Sequence, residues 1–95
     1  MTMCAAGVAK LIEECGELIQ VLGKRLAMWD QDDHWDGSNL RERMAEEMGD
    51  VIASIEFVAD QYDIGHLVDV RALTKRAVFD AWDAVVDNND HGIDA

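Results

Sequence analysis

Ninety-five residues bound the chain to one domain, and 20 acidic against 8 basic side chains leave it with a net charge of −12. That balance argues against a nucleic-acid polymer or an anionic membrane surface as partner, since phosphate-backbone binding draws on clustered Lys and Arg. At 49% hydrophobic the chain is too apolar for a disordered acidic tail, and so short a chain buries little core alone, which makes oligomerisation the expected supplement.

The first expected element is a helix over residues 5–28. Val8, Ile12, Cys15, Ile19, Leu22 and Leu26 recur at alternating four and three spacing, an amphipathic stripe. Leu11 and Leu18 widen it on one side, and Lys10, Glu14, Glu17, Val21 and Lys24 follow around that edge. Lys10, Glu13 and Glu14 interrupt the early apolar run, so no signal peptide is expected. Cys4 and Cys15 form no CxxC and are read as reduced, buried thiols of a cytoplasmic protein. No apolar run approaches the roughly 20 residues of a membrane span.

Residues 29–38 break the pattern with a Gly, two Trp and many acids, and are read as a loop whose Trp rings fold against something. Asp32-x-His34-x-Asp36-Gly37 imitates the start of a calcium loop. The twelfth position is Arg43, where a bidentate Glu is required, so calcium binding of that type is rejected. His34, His66 and His91 show no zinc spacing. A second helix is expected over residues 40–60, with Asn39 as N-cap and Glu42 three residues later. Its stripe is Leu40, Met44, Met48, Val51, Ile55, Val58 and Ala59, and Glu47 falls inside it. Gly16 and Gly49, each in mid-helix, suggest close approach of a backbone or a ligand. Asp63-Ile64-Gly65 reads as a turn. A third helix over residues 66–87 carries Leu67, Thr74, Val78, Ala81, Trp82 and Val85, with Arg71 inside the stripe and Lys75 beside it. Residues 88–95 are read as a polar, flexible tail beyond a single domain over residues 1–87.

Two acid boxes organise this chain. Glu14 with Glu17, and Glu47 with Asp50, stand at i and i+3, one helical turn apart on one face. Two such helices side by side offer four carboxylates to one cavity. Crowded like charges repel and take up protons unless compensated, and Mg²⁺, a hard cation that favours oxygen ligands shared with phosphates, is the simplest compensation. Lys24, seven after Glu17, and Arg71 and Lys75, four apart, serve either as ion-pair partners of the acid excess or as phosphate contacts.

Glu14-x-x-Glu17 followed by Glu47-x-x-Asp50, within residues 11–20 and 39–51, resembles the MazG-like nucleoside triphosphate pyrophosphohydrolases of the all-α NTP pyrophosphatase superfamily. Arg71-x-x-x-Lys75-x-x-x-Phe79-x-x-Trp82 is similar to their last helix. The long acidic, Trp-bearing loop between the boxes is a departure from the pattern. The resemblance implies an all-α fold completed by homo-oligomerisation, as a dimer or tetramer with a four-helix bundle across chains. It implies Mg²⁺- or Mn²⁺-dependent hydrolysis of an NTP or dNTP to the monophosphate and pyrophosphate. Glu14, Glu17, Glu47 and Asp50 are then metal ligands, Glu13 aids water activation, and Lys24, Arg71 and Lys75 are candidates for the substrate phosphates. The alternative is a non-catalytic helical dimerisation module whose acids are solvated decoration.

Overall fold

The computed structural model describes the backbone of residues 2–94 and the side chains of residues 5–86. Its elements are three helices, α1 (Thr2–Ala27), α2 (Leu40–Tyr62) and α3 (Gly65–Asp94). There is no strand among the described residues, only an isolated antiparallel bridge between Asp33 and Asn39. No described helix is long and apolar enough to cross a membrane. The chain divides into two compact units, Met1–Asp63 and Ile64–Ala95.

In the first unit α1 and α2 pack as a helical hairpin. The face that α1 turns from solvent carries Gly7, Leu11, Glu14, Leu18, Val21 and Arg25, again at four-three spacing. This is not the stripe expected from the sequence: Ile12, Ile19 and Leu26 are 67%, 68% and 73% exposed. The helix is apolar on two adjoining faces, and hydrophobic pattern alone does not choose between them. Gly7 does. A Cβ there would stand 3.0 Å from Gln61 Oε1 and 3.1 Å from the Phe57 ring, so this face is where the start of α1 meets the end of α2. Val21 and Leu40 are fully buried at the other end of the hairpin, each worth roughly 1.5–3 kcal/mol of burial. Gly16 and Gly49, expected at close approaches, have no atom within 4 Å of the place a Cβ would occupy.

Helix α2 starts where its cap dictates. Asn39 is extended (φ −97°, ψ 120°), and its Oδ1 accepts from the Glu42 amide at 3.0 Å, satisfying one of the free donors of the first turn. The helix ends on Asp63 in the left-handed region (φ 55°), whose amide reaches back to the Ala59 and Asp60 carbonyls. The expected turn is there, but its left-handed residue is Asp63 and not Gly65; a short polar side chain tolerates that conformation better than most.

The connection between the helices is ordered by polar contacts. Arg25 donates to the Trp29 carbonyl at 3.4 Å, the Gln31 carbonyl at 3.0 Å and Asp32 Oδ1 at 2.6 Å. His34 and Ser38 close a small hairpin, with Gly37 at φ 87° taking the left-handed position. Trp29 and Trp35, expected to fold against the body, are 71% and 86% exposed; the Trp35 ring lies 5.3 Å from the His34 ring at a 42° tilt.

The second unit is α3. Its helical backbone runs to Asp94, beyond the expected end near Asp87. The side chains of residues 87–95 lie outside the described residues, as does the Cys4 thiol. Leu67, Val78, Phe79, Trp82 and Val85 are exposed. So are Arg71 and Lys75, which the stripe had aimed inward; the Lys75 ammonium stands 5.6 Å over the Phe79 ring.

Candidate metal centre

Halfway along the hairpin the packed faces carry acids in place of hydrocarbon. Glu14 belongs to the inner row of α1, between Leu11 and Leu18, and Glu47 to that of α2, between Met44 and Val51. One turn further on stand Glu17 and Asp50. One carboxylate oxygen from each of Glu14, Glu17, Glu47 and Asp50 lies within 4.8 Å of all the others. The four come together because the i, i+3 step keeps each pair on one face, and because α1 and α2 place those faces against each other.

Charge compensation within the chain is thin. Glu14 is 7% exposed. Its Oε1 has Lys10 Nζ at 3.3 Å, and the same ammonium is 3.4 Å from Glu13. Lys10, held by Glu14 and then Glu13, keeps its proton more tightly than an ordinary lysine. Glu14 Oε2 and Glu47 Oε2 are both buried with no hydrogen-bond partner. The Glu17 carboxyl is pushed above its ordinary value, first by the negative charge of Glu14, then by partial burial and the charge of Glu47. A buried charged oxygen without a partner is costly, and a carboxyl with a raised proton affinity is one whose ionised form lacks a cation.

The site residues expected from sequence divide plainly. Glu14, Glu17, Glu47 and Asp50 are brought together. Glu13 stands on the exposed flank beside Lys10. Lys24 is half-buried further along α1, and Arg71 and Lys75 belong to α3. Sequence reasoning misses Lys10 as the cation of the cluster, although its place four residues before Glu14 is the helical spacing that signals such a pair. The donor set, hard carboxylate oxygens with two of them unpartnered, fits a divalent cation such as Mg²⁺ or Mn²⁺.

Comparison with families of known proteins gives a match: residues 5–76 fit the model of the MazG nucleotide pyrophosphohydrolase domain. No curated protein and no solved structure matches. The match takes in both acid boxes, Arg71 and Lys75, and stops before Phe79 and Trp82.

Proposed function

Since the chain belongs to the MazG nucleotide pyrophosphohydrolase family, we propose that it hydrolyses a nucleoside or deoxynucleoside triphosphate to the monophosphate and pyrophosphate, with Mg²⁺ or Mn²⁺ as cofactor. The observation that carries this reading is the pair of buried, unpartnered oxygens, Glu14 Oε2 and Glu47 Oε2, inside a cluster of four carboxylates. Solvated decoration does not bury its charge.

Glu14, Glu17, Glu47 and Asp50 would hold the cation. When bound, a divalent ion neutralises phosphate charge and lowers the pKa of an adjoining water. The chain's own residues do the rest. Lys10 engages Glu14 Oε1 and leaves the buried Oε2 without a partner. Glu13 is assigned to receive a proton from the water that attacks the α-phosphorus, the bond to the pyrophosphate oxygen breaking as the new P–O bond forms. Lys24, Arg71 and Lys75 are assigned to the phosphates; none of the three has an ion-pair partner among the described residues. Replacing Lys75 with Met should then raise KM while the protein stays folded, and an unchanged KM would remove Lys75 from the site. The exposed rows of α1 (Ile12, Ile19, Leu26) and α3 (Leu67, Val78, Trp82, Val85) support a homodimer or homotetramer, which sedimentation at micromolar concentration tests. A cytoplasmic place suits a nucleotide substrate.

Pyrophosphate release measured over a panel of NTPs and dNTPs with Mg²⁺ or Mn²⁺ tests the activity. Release from at least one nucleotide is expected, and no release from any would return the chain to the alternative of a helical interaction module.

A further inference from the structure

An open concavity of about 540 Å³ lies in the α1–α2 unit. Trp29 and Asp32 form one wall with Arg25; Arg41, Met44, Ala45 and Met48 form the other. The α2 wall is one helix face, since positions 41, 44, 45 and 48 follow the i, i+3, i+4, i+7 rule. Most of the lining is apolar, and its size is that of an ordinary small-molecule site. Met44 and Met48 are three residues and one residue from Glu47, so this wall starts within about 5 Å of it along the helix axis. Arg25, eight residues after Glu17, lies about 12 Å from it by the same rise. The concavity thus begins level with the acids and runs away from them over the distance that separates a nucleotide's phosphates from its base.

Its chemistry is specific. Trp29 offers a flat aromatic face, 71% exposed. The wall that carries it is braced by Arg25, whose bonds go to the Trp29 and Gln31 carbonyls and to Asp32 Oδ1. Asp32 Oδ2 takes no hydrogen bond among the described residues. Arg41 is exposed and joins none of the described ion pairs. In a chain of 20 acids and 8 bases, a guanidinium left free at the edge of an apolar hollow is available to a ligand.

Resting on the proposed pyrophosphohydrolase reading, we propose that this concavity is the nucleobase site and that it selects guanine. Trp29 stacks on the base, a contact any base can make. Arg41 supplies the selection: its forked N–H donors match the adjacent O6 and N7 acceptors of guanine. Asp32 Oδ2 accepts from the N1–H and amino edge of the same base. Adenine turns an amino group towards the guanidinium where guanine presents O6, so donor faces donor. A pyrimidine covers less of the Trp29 ring.

The test uses dGMP, the product of the proposed reaction, so binding is read without turnover. The 95-residue chain labelled with 5-fluorotryptophan gives fluorine resonances, with that of Trp29 assigned by its loss in Trp29→Phe. Titration with dGMP should shift the Trp29 resonance at concentrations at least about tenfold below those needed with dAMP or dCMP. Arg41→Met should weaken dGMP about tenfold and leave dAMP unchanged. A Trp29 resonance that ignores dGMP, or binding of dAMP or dCMP as tight as dGMP, overturns the proposal. Failure here together with pyrophosphate release from some NTP removes the guanine site and leaves the hydrolase standing. A Trp29 response to dGMP in a protein that releases no pyrophosphate removes the hydrolase and leaves the base site.

Discussion

Two acidic regions of this small chain hold their carboxylates in opposite ways. In the loop between α1 and α2 every engaged acid has a donor. Asp32 takes the Arg25 guanidinium at 2.6 Å. Asp36 accepts from the Ser38 hydroxyl at 2.6 Å and the Ser38 amide at 3.0 Å, with His34 Nδ1 3.0 Å away. Its carboxyl is accordingly held well below the usual range, chiefly by the Ser38 hydroxyl, then by the Ser38 amide and His34. In the cluster of Glu14, Glu17, Glu47 and Asp50, acids face acids. Lys10 is the one described cation paired there, and Glu17 is pushed the other way. The Asp36 carboxylate and the Asp32 oxygen that Arg25 holds are satisfied within the chain and serve the shape of the loop. The cluster acids are left incomplete, which is the condition for binding something from outside.

The sharpest way to break that contrast is Glu47→Gln, which removes one cluster charge and nearly keeps the shape. Activity should fall by roughly a hundredfold or more, since loss even of a group behind a metal ligand costs 10–100-fold. The variant should remain folded, with apo stability equal to or above the parent. Full pyrophosphohydrolase activity in Glu47→Gln would free these carboxylates of any catalytic role.

Next in size is the response to the cation itself. A ligand that binds only the folded form stabilises by about 2.7 kcal/mol at a hundred times its Kd, roughly 10–20 °C in Tm for a chain of this length. Calorimetry with Mg²⁺ or Mn²⁺ should show a rise of that order in the parent protein and little in Glu47→Gln. Equal shifts in both would place the cation elsewhere.

Disturbing the loop should do the reverse. Asn39→Ala removes the α2 cap and should cost about 1 kcal/mol, some 4–8 °C in Tm. The metal-induced rise should survive, because the cap touches none of the four acids. A cap variant that also loses the metal shift would mean that the loop and the cluster are one cooperative unit.

The smallest effect is in pH, and the two regions should differ in sign. Glu17 has a folded pKa above its ordinary value of 4.5, so the folded chain binds its proton more tightly than the unfolded one. Its contribution to stability is present below about pH 4.5 and is lost as pH rises through the folded value. Asp36 is depressed from 3.8, so its contribution is present above that value and is lost as pH falls. Removing Glu17 by Glu17→Gln should therefore flatten the apo Tm decline on the alkaline side of pH 4.5. The Asp36→Asn variant should flatten the acid side. Identical pH profiles for both variants would erase the distinction.

Much of the site is open to pattern. Helical periodicity sets the three helices, Asn39 and Glu42 mark the start of α2, and the i, i+3 spacing of the boxes puts each acid pair on one face. Glu47 inside an apolar row is the most informative residue, because a carboxylate buried among hydrocarbon demands a compensating cation. Local rules are enough here, since a helix converts sequence separation directly into direction. The loop is harder. Its Trp residues look too costly to expose, and only the chain of contacts from Arg25 shows that the backbone is secured while both rings stay outside.

What the tertiary structure decided was which faces meet. Helix α1 carries two apolar rows a step apart, and its pattern is satisfied whichever one is buried. The choice fell on the row of Leu11, Leu18 and Val21, and on that row Gly7 lies close against Phe57 and Gln61. That rotation carries Glu14 into the contact and leaves Ile12, Ile19 and Leu26 outside. It also brings the Glu14 and Glu17 carboxylates within reach of Glu47 and Asp50. The sequence by itself determined that four acids come in two aligned pairs, a property of single helices. That the pairs confront one another depends on packing between helices, where Gln61, near the far end of α2, is as close a neighbour of Gly7 as a residue in the next turn.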